Sequence, residues 1–270
     1  MDKTENGNRL YLIAGKSVEN CVKNKKINVS IDQITLIAPI SLEAWEKHVN
    51  RWLMLPFVRV SGSGIKVVDT DNCYVDDYKN EHEYVEPEQI AFIEMPKYHT
   101  DEIRIDFNPN HGMDTAGGQW LKSILEKLPN KHFSRLDIAI DMFNYPEIEK
   151  YDLWQYGMTK KLYFGRQQKI ETKYWGSRSS LKQVRLYNKK IEQKQRHGKI
   201  VYANSWWRLE FQLRGKIIQQ YPKIVNEMLN NFYVPDYKSS KLTDSQQNKV
   251  LRAMIDSDYY GGLKRSSQQQ

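Results

Sequence analysis

The run Tyr174–Lys189, YWGSRSSLKQVRLYNK, ends in a tyrosine set between cations: Arg185-Leu186-Tyr187-Asn188-Lys189. Read as an extended strand, its side chains alternate between two faces. Val184 and Leu186 then point one way, and Gln183, Arg185, Tyr187 and Lys189 the other. Positive neighbours lower the cost of a phenolate and also hold a phosphate against it, which is what a tyrosine nucleophile attacking a phosphodiester needs. The plainer explanation is a half-buried strand tyrosine in a basic, tyrosine-rich chain.

Three further segments carry the same alternation, with acids in the polar positions. FSRLDIAIDM (133–142) sets Leu136, Ile138, Ile140 and Met142 against Arg135, Asp137, Ala139 and Asp141. WWRLEFQL (206–213) sets Trp207, Leu209, Phe211 and Leu213 against Trp206, Arg208, Glu210 and Gln212. EIRIDF (102–107) sets Ile103, Ile105 and Phe107 against Glu102, Arg104 and Asp106. An antiparallel sheet with one wet face gives alternation by itself. An Arg-x-acid pair at Arg104/Asp106, Arg135/Asp137 and Arg208/Glu210 exceeds that expectation.

If the later strands are neighbours, Asp137, Asp141, Glu210 and Tyr187 share one face. Carboxylates so grouped suit a hard divalent cation, Mg²⁺ or Mn²⁺, which would polarise a phosphodiester as the nucleophile attacks in line. The arginines would orient carboxylate or phosphate through paired hydrogen bonds. The alternative is an ion-pair ladder across the sheet. The sequence leaves open which of Asp137, Asp141 and Glu210 touch metal and which pair with Arg135 or Arg208.

RLDIAID, YWGSRSSLKQVRLYNKK and WWRLEFQLRG, in that order and spacing, resemble the replication initiators of small rolling-circle plasmids in Gram-positive bacteria, the Rep_trans family. The resemblance covers nearly the whole chain and is densest from Ile103 to Asn231. It implies that Tyr187 nicks one strand of the double-strand origin, keeps the 5′ phosphate as a phosphotyrosine, frees a 3′ hydroxyl primer and rejoins strands at termination. It implies Arg185 and Lys189 as its catalytic neighbours, Asp141 and Glu210 as metal-site acids, and Asp137 beside them. A homodimer and recruitment of a UvrD-like (PcrA-type) helicase follow from the same resemblance. The His-hydrophobic-His metal motif of other rolling-circle initiators is absent.

Charge distribution points to nucleic acid. The chain has 270 residues and a formal net charge of +8. Residues 159–199 hold thirteen Lys or Arg against two Glu, whereas residues 66–110 hold four against twelve Asp or Glu. The basic block surrounds Tyr187, as a phosphate-contacting surface does, and Arg178 and Lys182 within it are candidate DNA contacts. Aromatic, glycine and serine residues interrupt the block, which suits backbone contacts and base stacking along a single strand. Cys21 and Cys73 lie far apart and suggest neither zinc nor a disulfide framework. With no Walker-type loop, no stretch of transmembrane length and no signal-peptide core, a cytoplasmic protein that does not itself hydrolyse ATP is expected.

The elements read as α+β, with a mostly antiparallel sheet, flanking helices and catalytic residues on one sheet face. A strand over Gln33–Ile40 precedes a helix capped by Ser41, and helices are expected near Gly118–Leu128 and Glu147–Tyr156. A hairpin joins Tyr174–Ser177 to Lys182–Asn188 through Arg178-Ser179-Ser180. A helix from Ile191 stops at Gly198, Pro222 splits one running from Gly215 to Leu229, and Thr243 or Asp244 caps the last. Residues 1–235 are expected to form the nicking and joining region, in one or two α+β lobes. Residues 236–270 would form an origin-recognition segment with a disordered tail, where Lys264 and Arg265 read bases or contact phosphates. Two rivals stand beside the nickase. A non-catalytic origin or operator binder needs the basic surface but no acids beside a tyrosine. A tyrosine recombinase would work without metal and link to the 3′ phosphate.

Overall fold

Alternating β-branched and polar residues produce long strands, and in the computed structural model these join into one sheet. The structure describes residues 24–71, 75–76, 83–84, 87–166, 168–198, 201–234, 242–255, 259 and 262. Its strands are β1 (Lys26–Pro39), β2 (Val58–Ser61), β3 (Gly64–Val68), β4 (Val75–Asp76), β5 (Glu83–Tyr84), β6 (Gln89–Glu94), β7 (Glu102–Phe107), β8 (His132–Phe143), β9 (Asp152–Leu153), β10 (Lys160–Phe164), β11 (Ile170–Trp175), β12 (Lys182–Asn188), β13 (Trp206–Arg214) and β14 (Phe232–Tyr233). The helices are α1 (Leu42–Trp52), α2 (Ala116–Lys127), α3 (Lys189–His197), α4 (Tyr221–Leu229) and α5 (Asp244–Ile255).

Ten strands form the main sheet in the order β10-β11-β12-β13-β8-β1-β7-β6-β3-β2. Every pairing is antiparallel. The fold is α+β, and the sheet divides between β1 and β8 into two halves. They wind alike. From the centre outward, the first half runs β1, β7, β6, β3, β2, and the second runs β8, β13, β12, β11, β10. In each half the first strand is central, the last lies beside it, and the second ends at the edge.

One face of the sheet is apolar across both halves. Ile65, Ile93, Ile103 and Ile105 pack there with Trp45 and Trp52 of α1 and Leu121 of α2. Val184, Leu186, Leu209, Phe211 and Leu213 pack there with Trp175 and with Ile224 and Met228 of α4. Burying each such aliphatic side chain stabilises the fold by about 1.5–3 kcal/mol, which fixes the register and so decides which residues emerge on the other face.

Local signals set the helix ends. Ser41 Oγ accepts the Ala44 amide at 3.2 Å and caps α1. Thr243 Oγ1 accepts the Gln246 amide at 3.3 Å ahead of α5. Gly198 closes α3 with φ of 62°, a left-handed backbone that glycine adopts freely. Pro222 sits at the start of α4, and Gly215–Gln220 before it is a separate 3-10 turn. The helix expected at Glu147–Tyr156 is not there. Pro146–Lys150 is a 3-10 turn, and the chain then extends as β9, whose Leu153 pairs with Phe232 of β14. No helix among the described residues is long and apolar enough to cross a membrane.

Candidate functional site

Register assembles the polar face of β12, β13 and β8. Tyr187 lies across from Arg208, and Arg208 across from Asp141, in one transverse row. Arg185, Glu210 and Ala139 form the next row, and Gln183, Gln212 and Asp137 the one after. The Tyr187 backbone leads within two residues into α3, whose first residue is Lys189. Asn188 caps that helix by accepting the Ile191 amide at 3.1 Å. The positive end of α3 therefore lies beside the tyrosine.

This face is not wet, contrary to the expectation from alternation. Tyr187 retains 3% of its exposure, Asp141 6% and Glu210 7%. The guanidinium of Arg185 stacks 4.0 Å from the centroid of the Tyr187 ring, and Lys189 Nζ lies 5.6 Å from it. Arg185 Nη2 donates to Glu210 Oε2 at 2.7 Å, and Tyr174 of β11 lies across from Arg185. Its Nε is a buried donor with no partner. A cavity of ≈ 130 Å³ opens beside the tyrosine, lined by Thr172, Tyr174, Arg185, Tyr187, Ile191 and Glu192 among others.

Burial raises the Tyr187 phenol well above its ordinary value. Arg185 and Arg208 pull the other way, and Glu210 and Glu192 push it up further. Cationic neighbours thus favour a phenolate, as expected, but desolvation outweighs them and the side chain is a neutral phenol at pH 7. Burial also raises the Glu210 carboxyl, against the attraction of Arg185. The Lys189 ammonium is lowered by burial and then by Arg208, with Glu192 at 2.7 Å opposing both.

Arg208 anchors the patch. It donates from Nε and Nη2 to the two oxygens of Asp141, both at 2.8 Å, and from Nη1 to Asp32 at 2.8 Å. Trp206 Nε1 adds a 2.6 Å bond to Asp141 Oδ1. Burial opposes the charge on Arg208, and the two carboxylates more than restore it. Asp32 escaped the reading of the sequence because it sits in a β-bulge: the β1–β8 register slips between Ile31 and Gln33. A bulge breaks the period of two and re-aims one side chain, so parity gives no hint of it. Glu192 was also missed. It lies one helical turn beyond Lys189 and is found by i, i+3 spacing once the helix start is known.

The acids do not converge. Asp137 is bound by Arg135 and by Gln212 Nε2 at 3.2 Å, Asp141 by Arg208 and Trp206, and Glu210 by Arg185. No group of three or more His, Cys, Asp or Glu among the described residues is placed to hold a metal ion. As arranged, these donors do not fit a divalent cation, because each spends its charge on a guanidinium. Arg178 lies at the tip of the β11–β12 hairpin, at the opposite end of β12 from Tyr187. Lys182 pairs with Leu213 and shares the parity of Val184 and Leu186, so it starts β12 on the apolar side. Lys264 and Arg265 lie outside the described residues.

No family model matches the chain. A replication initiation protein of Staphylococcus aureus is 30% identical over 186 residues, 66% of this chain. A second from the same organism is 30% identical over 188 residues, 67% of this chain. The chain is related by sequence to replication initiation proteins. The matches span 57% and 58% of the length of those relatives. A solved rolling circle replication initiator protein from Geobacillus stearothermophilus aligns with 86% of this chain and 96% of its own, at 14% identity and a TM-score of 0.45.

Proposed function

We propose that the chain initiates rolling-circle replication by binding origin DNA and nicking one strand through Tyr187. The observation that carries this reading is Tyr187 itself, lining a cavity with a guanidinium stacked on its ring and a lysine beside it. Its oxygen forms a bond to the scissile phosphorus as the bond to the 3′ oxygen breaks. The phenolic proton ends on that 3′ oxygen, giving a 3′ hydroxyl primer and a 5′-phosphotyrosine. One phosphate ester replaces another, so the reverse reaction rejoins strands at termination. Arg185, Arg208 and the start of α3 stabilise the phenolate and the charge developing on phosphate.

No step here runs through a metal. If DNA drew Arg185 off Glu210, that carboxylate would be free to hold Mg²⁺ or Mn²⁺ beside the phosphate, and nicking in EDTA against nicking in Mg²⁺ tests this. The same reading extends to a homodimer and a UvrD-like (PcrA-type) helicase as partners, testable by sedimentation and by unwinding from the nick. It places origin choice in residues 236–270.

The burial of Tyr187 favours a second reading, a non-catalytic origin binder in which the tyrosine is packing. Tyr187→Phe separates the two. It abolishes nicking of supercoiled plasmid carrying the cognate origin while origin binding survives. A Phe variant that still nicks refutes the tyrosine mechanism.

A further inference from the structure

The cavity beside Tyr187, at ≈ 130 Å³, is far smaller than the roughly 300–1,000 Å³ of a small-molecule site. In the nicking reading the scissile phosphate sits there, against Arg185 and Tyr187. The bases that flank it then lie outside the cavity, along the sheet. On the β11 side, register extends the two catalytic rows to the sheet edge. Tyr187 lies across from Thr172 and Thr172 across from Tyr163; Arg185 lies across from Tyr174 and Tyr174 across from Lys161. All six share the polar face.

The edge strand β10 is exposed along its length. Tyr163 keeps 54% of its exposure and meets Tyr174 edge-on, with ring centroids 5.5 Å apart and planes at 72°. Tyr174 in turn lies across from Arg185, which stacks on Tyr187. A continuous chain of π and cationic surfaces thus leads from the sheet edge to the tyrosine. At about 4.8 Å per strand, Tyr163 lies about 10 Å from Tyr187, the reach of a nucleotide or so of extended strand. An aromatic ring as exposed as Tyr163, set on a half-buried Tyr174, adds little to the core. An unprotected edge rich in aromatics is a liability unless something covers it.

We propose that Tyr163 and Tyr174 form a stacking platform for a base of unpaired DNA next to the scissile phosphate, with Lys161 holding the adjoining phosphate. This deepens the nicking reading and rests on it. Single-stranded DNA fits the platform on three grounds. The rings offer faces that any base can stack on, the surrounding residues 159–199 are strongly basic, and the surface is continuous with the cavity. Duplex DNA would present phosphates to these rings instead of bases.

The test measures binding, not cleavage, so it stands apart from the nucleophile assignment. Full-length Tyr163→Ala, Tyr163→Phe and wild-type chains are titrated by anisotropy with an oligo-dT of about 12 nucleotides and with a blunt duplex of the same length. Tyr163→Ala should lose about 5- to 150-fold in single-strand affinity, the equivalent of about 1–3 kcal/mol per stacked base. Tyr163→Phe should keep it, and duplex affinity should not change. Ultraviolet cross-linking to oligo-dT carrying iodouracil should attach to Tyr163 or Tyr174. Unchanged single-strand affinity, equal losses for single strand and duplex, or cross-links confined to other residues would each overturn the platform. A shift of Tyr163→Ala to a different oligomeric state with DNA binding intact would overturn it too, and assign the edge to a second copy. Loss of Tyr187 nicking chemistry with this binding pattern intact would count against the nucleophile alone.

Discussion

The two halves of the sheet are wound in the same order, yet among the described residues only the second sets a network of buried guanidinium groups around a tyrosine. In the first half, Arg104 of β7 pairs with Asp106 at 2.6 Å and with Glu94 of β6 at 3.4 Å, its side chain 40% exposed. In the second, Arg208 of β13 is 11% exposed and bridges Asp141 and Asp32. Glu94 lies across from Arg104 where Tyr187 lies across from Arg208. The same strand order and the same Arg-x-acid signature therefore yield a surface ion pair in one place and a desolvated network around a tyrosine in the other. Desolvating charges is costly and seldom improves stability over apolar packing. The network is better explained by what it does to Tyr187 than by what it does for the fold.

Removing the two arginines in turn should separate the halves most widely. Arg208→Ala strands Asp141 and Asp32 without their cation and should cost about 3–5 kcal/mol. Arg104→Ala removes a half-exposed pair and should cost about 0–1 kcal/mol. Urea unfolding of both variants decides. Equal effects would mean the halves do not differ as described.

Glu210→Gln is the next largest effect. It keeps shape but removes the carboxylate that holds the Arg185 guanidinium over the Tyr187 ring, so nicking should fall with origin binding retained. A variant that nicks like wild type removes Glu210 from the site.

Stability against pH gives a smaller signal. Burial raises the Glu210 carboxyl in the folded state, so between its ordinary and its folded value the folded chain holds a proton that the unfolded chain has lost. Stability from this group therefore falls as pH rises through that window. The melting temperature of wild type relative to Glu210→Gln should fall over the same window, and a difference that rises instead contradicts the burial argument.

Much of this was legible in residues 133–214. Alternation with β-branched and aromatic residues fixed β8, β12 and β13 and their faces. The turn at Arg178-Ser179-Ser180, the stop at Gly198 and the split at Pro222 follow from local backbone chemistry. What pairs with what did not follow, because parity names a face and not a partner. Asp32 was hidden by its bulge, and the burial of Tyr187 depends on cover that no single strand encodes. The expected helix at Glu147–Tyr156 failed because β9 is held by pairing with β14, a tertiary contact that overrides propensity.

The smallest expected effect concerns Lys182. Its apolar-side parity takes it off the Tyr187 surface, so Lys182→Gln should leave nicking unchanged. Loss of nicking would place DNA around both sides of the β12 end.

The central claim, that Tyr187 is the nucleophile, is tested most directly by mapping the covalent adduct. Origin DNA with radiolabelled phosphate at the nick is incubated with wild-type chain, the complex is digested with protease and nuclease, and the labelled peptide is sequenced by mass spectrometry. A 5′-phosphate ester on Tyr187, and no adduct in Tyr187→Phe, is the expected result. Label on any other residue, or nicking with no protein–DNA adduct, would contradict it.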